Sequence, residues 1–126
     1  MTRKVLIVDD SKLARMAVIK ALDSLHPDWT RFEASDAATA LAMVQREAPD
    51  IALLDFNMPG MDGLVLAAEV RKLNPGIRVA VISANHQAEV VERARAAGAA
   101  FLPKPLTAVA LRAFLGDSAA PRQEAR

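Results

Sequence analysis

Four apolar runs and one mixed run along the chain predict five β-strands. The apolar runs are residues 4–8, 51–54, 77–82 and 99–102, and the first three are rich in Val, Ile and Leu. Continuous runs of this length are typical of strands buried on both faces, as in a parallel sheet. The mixed run, residues 29–34, interleaves Thr30, Arg31 and Glu33 with apolar positions. We interpret it as an edge strand.

The segments between these strands have the periodicity of helices with one apolar side. Three apolar series recur at spacings of three and four residues: Ala37, Leu41, Val44 and Ala48; Leu66, Val70 and Leu73; and Val90, Ala94 and Ala97. Such a stripe predicts an amphipathic helix. A first helix is expected to start after Ser11 and to be stopped by His26-Pro27. A last helix, capped by Thr107, is expected to end near residue 115.

Strand and helix alternate five times, which predicts a single α/β domain. Regular alternation with short loops implies a parallel sheet with helices on both faces, and 126 residues suit one domain of ordinary size. We assign residues 1–116 to this domain. Residues 117–126 are predicted to be a flexible C-terminal tail or the start of a linker.

Composition and charge exclude several classes of protein. A hydrophobic fraction of 52% with 25% charged residues indicates a globular chain. The apolar runs are too short to span a bilayer, and the absence of cysteine fits a cytoplasmic protein. A net charge of +1 argues against direct nucleic-acid binding, which needs a concentrated basic face. We therefore expect a cytoplasmic protein with no membrane contact, whose functional charges are local.

Polar side chains follow the predicted strands at the edge where ligands bind in open α/β sheets. They are Asp9 and Asp10 after the first strand, Asp55 after the third, Ser83 after the fourth and Lys104 after the fifth. Asp36 follows the second strand, but its place at the start of a helix is explained by N-capping. The sequence therefore predicts one polar site at the sheet edge.

Each of these residue types has a task in phosphoryl transfer. Three clustered carboxylates repel one another, and Mg²⁺, which prefers oxygen ligands, relieves this. A carboxylate beside the cation can attack a phosphoryl group, and a lysine and a hydroxyl can contact its oxygens. Taken singly, Asp10 or Ser11 could simply cap a helix, and Asp55 could be a structural turn residue. Their coincidence at one edge favours function.

Four stretches of the chain resemble the receiver domains of bacterial two-component response regulators, the CheY-like family. They are Val5-Leu6-Ile7-Val8-Asp9-Asp10-Ser11, the run from Leu53 to Gly63 that contains Asp55-Phe56-Asn57-Met58-Pro59-Gly60, Val81-Ile82-Ser83-Ala84, and Phe101-Leu102-Pro103-Lys104-Pro105. Their order and spacing are specific together. The resemblance covers residues 4–115 and implies a flavodoxin-like, doubly wound (βα)5 domain with a parallel sheet of order 2-1-3-4-5.

The resemblance implies a role for each residue of the polar site. Asp55 corresponds to the phosphoacceptor that takes a phosphoryl group from a histidine kinase. Asp9 and Asp10, together with Asp55 and the backbone carbonyl of Asn57, correspond to the Mg²⁺ ligands. Lys104 corresponds to the lysine that pairs with the phosphoryl oxygens, and the peptide bond after it is often cis in this family.

The resemblance also implies two residues that respond to phosphorylation and two that tune the rate of autodephosphorylation. Ser83 and Phe101 correspond to the switch hydroxyl and the aromatic switch residue, while Asn57 and Asn85 stand where the family tunes autodephosphorylation. Serine and phenylalanine replace the commoner threonine and tyrosine at these two switch positions. Phe101 lacks a phenolic hydroxyl for a partner, and it could instead be an ordinary core residue. The implied readout surface is the fourth helix, the fifth strand and the fifth helix.

Two rival functions are less consistent with the sequence. A phosphatase with an aspartyl-phosphate intermediate would have a second aspartate two residues after Asp55, where Asn57 stands. A degenerate receiver that only binds partners would have lost an acidic residue or Lys104.

We expect no enzyme activity beyond the domain's own phosphorylation and dephosphorylation. The expected partners are a sensor histidine kinase or histidine phosphotransfer protein and an unknown output protein or domain, with the chain a monomer or a weak, phosphorylation-dependent dimer. The sequence leaves open whether the chain acts alone or within a longer protein.

Overall fold

The structure, a computed structural model, describes residues 3–58, 60–84 and 87–119, and for residues 117–119 it describes the backbone alone. The strands are β1 (Lys4–Val8), β2 (Thr30–Ala34), β3 (Ile51–Asp55), β4 (Arg78–Ser83) and β5 (Ala100–Pro103). The helices are α1 (Lys12–Leu25), α2 (Ala37–Glu47), α3 (Gly63–Leu73), α4 (Ala88–Ala96) and α5 (Ala108–Ala119). The alternation predicted from the sequence is confirmed, and every strand boundary lies within one residue of its expected position.

The five strands form one parallel sheet of order β2-β1-β3-β4-β5. The doubly wound, flavodoxin-like α/β architecture is thereby confirmed, with β2 at the edge as expected. After β2 the chain returns past β1 and adds the remaining strands on the other side. The strand order therefore reverses between β1 and β3, and the carboxyl ends of these two strands border the crevice in which such sheets bind ligands.

Alternating residues of the central strands enter two separate cores, one on each face of the sheet. Leu6 and Val8 of β1 pack under α2, α3 and α4, whereas Val5 and Ile7 pack under α1 and α5. All four side chains are almost completely buried. Because both faces of the sheet are covered by helices, successive strand residues must all be apolar, which is why the strands appear as continuous apolar runs.

Side-chain caps fix the starts of several helices and the loops before them. The side-chain oxygens of Ser11, Asp36, Asp62 and Thr107 accept hydrogen bonds from backbone N–H groups in the first turns of α1, α2, α3 and α5. The capping roles expected for Asp36 and Thr107 are confirmed. Ser11 and Asp62 lie in the loops that follow β1 and β3, so their caps also hold the loops that border the crevice.

The sequence pattern was wrong at three helix ends. α5 runs to Ala119 and not to about residue 115, because no residue before Pro121 prevents helix continuation. Ala48 was placed on a buried stripe, but it is exposed and ends α2 with a left-handed φ of 48°. Leu73, the last residue of α3, is 43% exposed. At the end of a helix its regular geometry stops, so the periodicity does not predict burial of residues such as Ala48 and Leu73.

Within the described part of the chain, every helix is too short or too polar to cross a membrane.

Candidate functional site

Three carboxylates come together at the carboxyl edge of the sheet. Asp55 is the last residue of β3, and Asp9 and Asp10 follow the neighbouring strand β1. One carboxylate oxygen from each residue lies within 4.8 Å of the others. Asp9 and Asp55 are buried, and Asp10 is exposed. The adjacency of β1 and β3 thus produces the acidic cluster that the sequence predicted.

Lys104 reaches this cluster from the end of β5, although β4 lies between β5 and β3. Its Nζ donates a hydrogen bond to Asp55 Oδ1 at 2.7 Å and lies 3.8 Å from Asp9 Oδ2. Its backbone N–H donates to the Ser83 carbonyl at 3.0 Å, and the peptide bond to Pro105 is cis. Partial burial disfavours the charged form, but the hydrogen bond and the negative charges of the nearby aspartates outweigh it, so the pKa of Lys104 lies above its ordinary value.

Asp9 is held at its backbone and at its carboxylate. Its N–H donates to the Ala34 carbonyl at 3.1 Å, and its Oδ1 accepts the N–H of Ser11 at 2.9 Å. Its carbonyl accepts a hydrogen bond from the Arg15 guanidinium at 2.7 Å. Side-chain orientation at this position is therefore fixed before any ligand arrives.

The electrostatics of the cluster fit a divalent cation. Burial raises the pKa of Asp9 most, the charges of Asp55 and Asp10 raise it further, and the Ser11 N–H and Lys104 only partly oppose them. One ammonium group cannot balance three carboxylates. A hard cation with oxygen ligands can, and these carboxylates are donors that Mg²⁺ accepts.

Asp9→Asn is expected to stabilise the metal-free protein at neutral pH and to remove most of the stabilisation that Mg²⁺ provides. A carboxyl group whose pKa is raised by folding gives its full stabilisation below its ordinary pKa of 3.8, and this stabilisation is lost as the pH rises through the higher pKa of the folded state. Asparagine resembles the uncharged form and can still accept the Ser11 N–H. Thermal unfolding with and without Mg²⁺ measures both effects. Asp28→Asn, at an exposed position before β2, is the control. Equal Mg²⁺ stabilisation of the parent and of Asp9→Asn would show that Asp9 does not take part in Mg²⁺ binding.

The structure describes three of the four other residues that the sequence predicted for the site. Ser83 is buried at the end of β4, one residue beyond the partner of Asp55 in the sheet register. Asn57 is exposed in the loop after β3. Phe101 is partly buried and packs against the core under α2, α3 and α4. Asn85 lies outside the described residues.

Two residues at the site were not identified from the sequence. Arg15 contacts the carbonyl of Asp9, and a hydrophobicity pattern contains no information on such a contact. Gly63 ends the run from Leu53 that resembles receiver domains, but only the fold shows why glycine stands there. A Cβ atom at position 63 would overlap the carbonyl oxygen of Asp55 and lie 2.8 Å from Phe56 Cα. The chain can therefore pass this closely behind the phosphoacceptor candidate only at a glycine.

An open groove of about 410 Å³ adjoins the cluster. Asp9 and Lys104 lie in its wall, together with mainly apolar residues of α1 and of the segment after β5: Ala14, Ala17, Val18, Pro105 and Leu106. Leu13 on α1 and Val109 on α5 are 77% and 72% exposed. The groove beside the acidic cluster is thus mainly apolar.

Comparison with known proteins points to one family. Residues 5–115 match the family model described as response regulator receiver domain. A probable transcriptional regulatory protein NarL of Mycobacterium tuberculosis is 42% identical over 105 residues, which cover 82% of this chain and 49% of that protein. Sporulation initiation phosphotransferase F of Bacillus subtilis is 30% identical over 99 residues, which cover 79% of this chain and 78% of that protein.

Solved structures agree with the sequence relatives. The receiver domain of the putative response regulator NarL from Mycobacterium tuberculosis superposes with a TM-score of 0.79 at 38% identity, covering 93% of this chain and 95% of that one. The chemotaxis response regulator CheY4 of Vibrio cholerae gives a TM-score of 0.81 at 28% identity, covering 93% of this chain and 98% of that one.

The parallel sheet of order 2-1-3-4-5 with an acidic pocket at its switch point defines an α/β signalling domain of the CheY-like class. The chain belongs to the response regulator receiver domain family of two-component systems. The pocket of Asp9, Asp10 and Asp55 fits the phosphoacceptor site of such a domain. The chain spans about half the length of the NarL relatives that it matches.

Proposed function

We propose that Asp55 accepts a phosphoryl group from a phosphohistidine donor, with Mg²⁺ bound in the acidic pocket, and that this changes a protein-binding surface. One observation carries the proposal. The buried carboxylate of Asp55 lies beside two further carboxylates and has an ammonium group 2.7 Å away, at the switch point of a receiver-family sheet. This arrangement combines a nucleophile, a metal-binding donor set and a fixed cation for the incoming phosphoryl oxygens.

The carboxylates of Asp9, Asp10 and Asp55 and the backbone carbonyl of Asn57 would hold the Mg²⁺ ion. When bound, the ion offsets the negative charge that accumulates as a phosphoryl group approaches the carboxylates. Asp9 and Asp55 are anchored by Ser11 and Lys104 respectively, while exposed Asp10 faces solvent. The pocket therefore offers both fixed ligands and an accessible one.

In the transfer step a carboxylate oxygen of Asp55 forms a bond to phosphorus, and the bond from phosphorus to the donor imidazole nitrogen breaks. The nitrogen keeps the bonding electron pair, so the donor leaves as a neutral histidine if its other ring nitrogen already carries a proton. If it does not, the leaving nitrogen takes one proton from water and the histidine is again neutral. Lys104 holds Asp55 Oδ1 beforehand at 2.7 Å and is positioned to attract the oxygens of the transferred group. No external substrate is turned over in this scheme.

The position of the phosphoryl group tests this proposal directly. After reaction with a phosphorylated histidine kinase or phosphotransfer protein, peptide mapping under neutral conditions is expected to place the group on Asp55. The bond is expected to be an acyl phosphate that hydroxylamine cleaves. A phosphoryl group found on Ser83, His26 or another residue would exclude Asp55 as the acceptor.

We further propose that Ser83 and Phe101 transmit phosphorylation to the surface of α4, β5 and α5. A dianionic group at Asp55 attracts the hydroxyl of Ser83, whose movement frees space for the ring of Phe101 to turn inward. Asn57 and Asn85 would set the lifetime of the acyl phosphate. NMR shifts that remain confined to the acidic pocket after phosphorylation would argue against this switch.

The phosphodonor protein is proposed to approach over the apolar groove, because its phosphohistidine must reach Asp55 and the groove shares Asp9 and Lys104 with the pocket. Leu13→Asp is expected to slow transfer from the donor protein about 10-fold or more, since Leu13 is exposed and precedes the groove residue Ala14 in α1, so the change puts a charge beside the groove. Uptake from acetyl phosphate is expected to stay near the parent rate. Parallel rate measurements with the two donors separate docking from chemistry.

Leu73→Asp provides the matched control, because Leu73 is an exposed leucine at the end of α3, away from the groove. This variant is expected to leave the rate of phosphoryl transfer from both donors unchanged. Equal rates for the parent and Leu13→Asp with the protein donor would exclude α1 from the docking surface.

We propose the remaining properties on the strength of the family and the sequence. Residues 1–116 form the receiver domain, and residues 117–126 are a tail or linker, although the first three of these extend α5. The chain works in the cytoplasm as a monomer or weak phosphorylation-dependent dimer, and it does not bind nucleic acid itself. Its output partner is a separate protein or a domain joined after α5.

A further inference from the structure

We propose that Arg15 is a positioning residue of the Mg²⁺ pocket and that Glu33 on β2 holds Arg15 in place. The inference rests on the proposed function, because it assigns to these two residues the task of preparing the acidic pair for the metal. Neither side chain would touch the ion or the phosphoryl group.

Arg15 bridges α1, the end of β1 and the edge strand β2. Its Nε donates to Glu33 Oε1 at 2.8 Å, and its Nη1 donates to the backbone carbonyl of Asp9 at 2.7 Å. The arginine side chain is only 14% exposed. The side chain of Glu33 is 44% exposed, so this ion pair is partly open to solvent. The bond to the Asp9 carbonyl is short, charge-assisted and partly buried.

The contact with Asp9 matters because the carbonyl of Asp9 belongs to the peptide unit that leads into Asp10. Arg15 therefore fixes the orientation of the Asp9–Asp10 peptide. The carboxylate of Asp9 is fixed separately by Ser11 and Lys104. The carboxylate of Asp10 makes no hydrogen bond or ion pair within the described residues, so its direction depends on the backbone that Arg15 holds.

Only arginine meets both demands at this position. Its planar guanidinium carries donors that point in different directions, so one side chain can bond the Asp9 carbonyl and the Glu33 carboxylate together. A lysine would offer a single ammonium centre without this fixed geometry. Glu33 suits the task because it pairs with Ile7 in the β1–β2 register, close to the end of β1.

The test is Mg²⁺ affinity, measured by calorimetry on the unphosphorylated protein. Arg15→Met is expected to raise the Mg²⁺ dissociation constant about 10-fold, the lower end of the effect of losing a residue that orients a metal ligand. Glu33→Ala is expected to give a smaller increase. The double variant is expected to be no worse than Arg15→Met, because Glu33 acts through Arg15.

A kinetic readout separates positioning from general damage to the fold. In phosphorylation by acetyl phosphate, Arg15→Met is expected to shift the Mg²⁺ concentration for half-maximal rate by the same factor. The rate at saturating Mg²⁺ is expected to stay near that of the parent, since Asp55 and Lys104 are untouched. Glu33→Gln is expected to be milder than Glu33→Ala, because an amide oxygen can still accept from Arg15.

Arg31→Met is the matched control. Arg31 lies on β2, the strand that carries Glu33, and it pairs with Asp23 away from the acidic cluster. Unchanged Mg²⁺ affinity in Arg15→Met and Glu33→Ala would overturn the inference, as would additive effects in the double variant. A loss of thermal stability in Arg15→Met without a change in Mg²⁺ affinity would also overturn it. If Arg15→Met does not fold, the two Glu33 variants decide the question. A parent protein that does not bind Mg²⁺ would overturn the proposed metal site itself.

Discussion

Lys104→Met is expected to slow phosphoryl uptake from acetyl phosphate by about 100-fold at saturating Mg²⁺, comparable to removing one charge-stabilising donor from an active site. The ammonium of Lys104 is 2.7 Å from Asp55 Oδ1, and among the described residues no other cationic side chain pairs with this carboxylate. Methionine keeps the length of the side chain and removes its charge. Rates come from intact-mass spectra taken over time.

The same variant is expected to bind Mg²⁺ as tightly as the parent or more tightly. Lys104 repels a cation from the pocket, and its removal leaves the charges of Asp9, Asp10 and Asp55 uncompensated. Slower transfer with unweakened metal binding is a combination that misfolding does not produce. Lys72→Met, which removes only an exposed pair with Glu69, is the control. Parent-like uptake in Lys104→Met would show that this lysine does not assist transfer.

Gly63→Ala is expected to lower the free energy of unfolding by about 3 kcal/mol, the upper part of the range for added atoms in a closely packed place. The new Cβ would meet backbone atoms of Asp55 and Phe56, which cannot rotate away as a flexible side chain could. Gly63 also donates its N–H to the Phe56 carbonyl at 2.8 Å. Relief of the overlap must therefore move the end of β3 that carries Asp55 or the start of the loop after it, and Mg²⁺ binding is expected to weaken as well.

Chemical denaturation gives the stability change, and Gly116→Ala is its matched control. Gly116 is exposed in α5, and a Cβ there meets no atom within 4 Å. Because alanine favours a helix over glycine by about 1 kcal/mol, this control is expected to be neutral or stabilising. Equal stabilities of the parent and Gly63→Ala would show that the loop can yield, and that glycine is not required at position 63.

The sequence predicted the sheet well because burial on both faces requires a continuous run of apolar residues in each central strand. Leu6 and Val8 face one core and Val5 and Ile7 the other, so β1 had to be apolar throughout. The polar site was predictable because the carboxyl ends of parallel strands meet at one edge of the sheet. Asp55 alone could have been a structural turn residue, but its coincidence with Asp9, Asp10 and Lys104 at that edge favoured function. The order of the strands was different, because it came from the family resemblance and not from the hydrophobic pattern.

What the sequence missed depends on contacts that no residue pattern records. Arg15 binds a backbone carbonyl, and any residue at position 9 would supply one. The need for glycine at position 63 arises from the close passage of α3 behind the end of β3. The end of α5 was placed near residue 115, just before Gly116, whereas one glycine costs a helix only about 1 kcal/mol and α5 continues to Ala119.

The most direct test of the central claim is the intact mass of the protein after incubation with acetyl phosphate, with and without Mg²⁺, for the parent and Asp55→Asn. We expect the parent to gain one phosphoryl group only when Mg²⁺ is present, and Asp55→Asn to gain none. A gain that persists in Asp55→Asn would contradict Asp55 as the acceptor, and a gain without Mg²⁺ would contradict the role of the metal. No gain in the folded parent would make this chain a receiver domain that acts through binding alone.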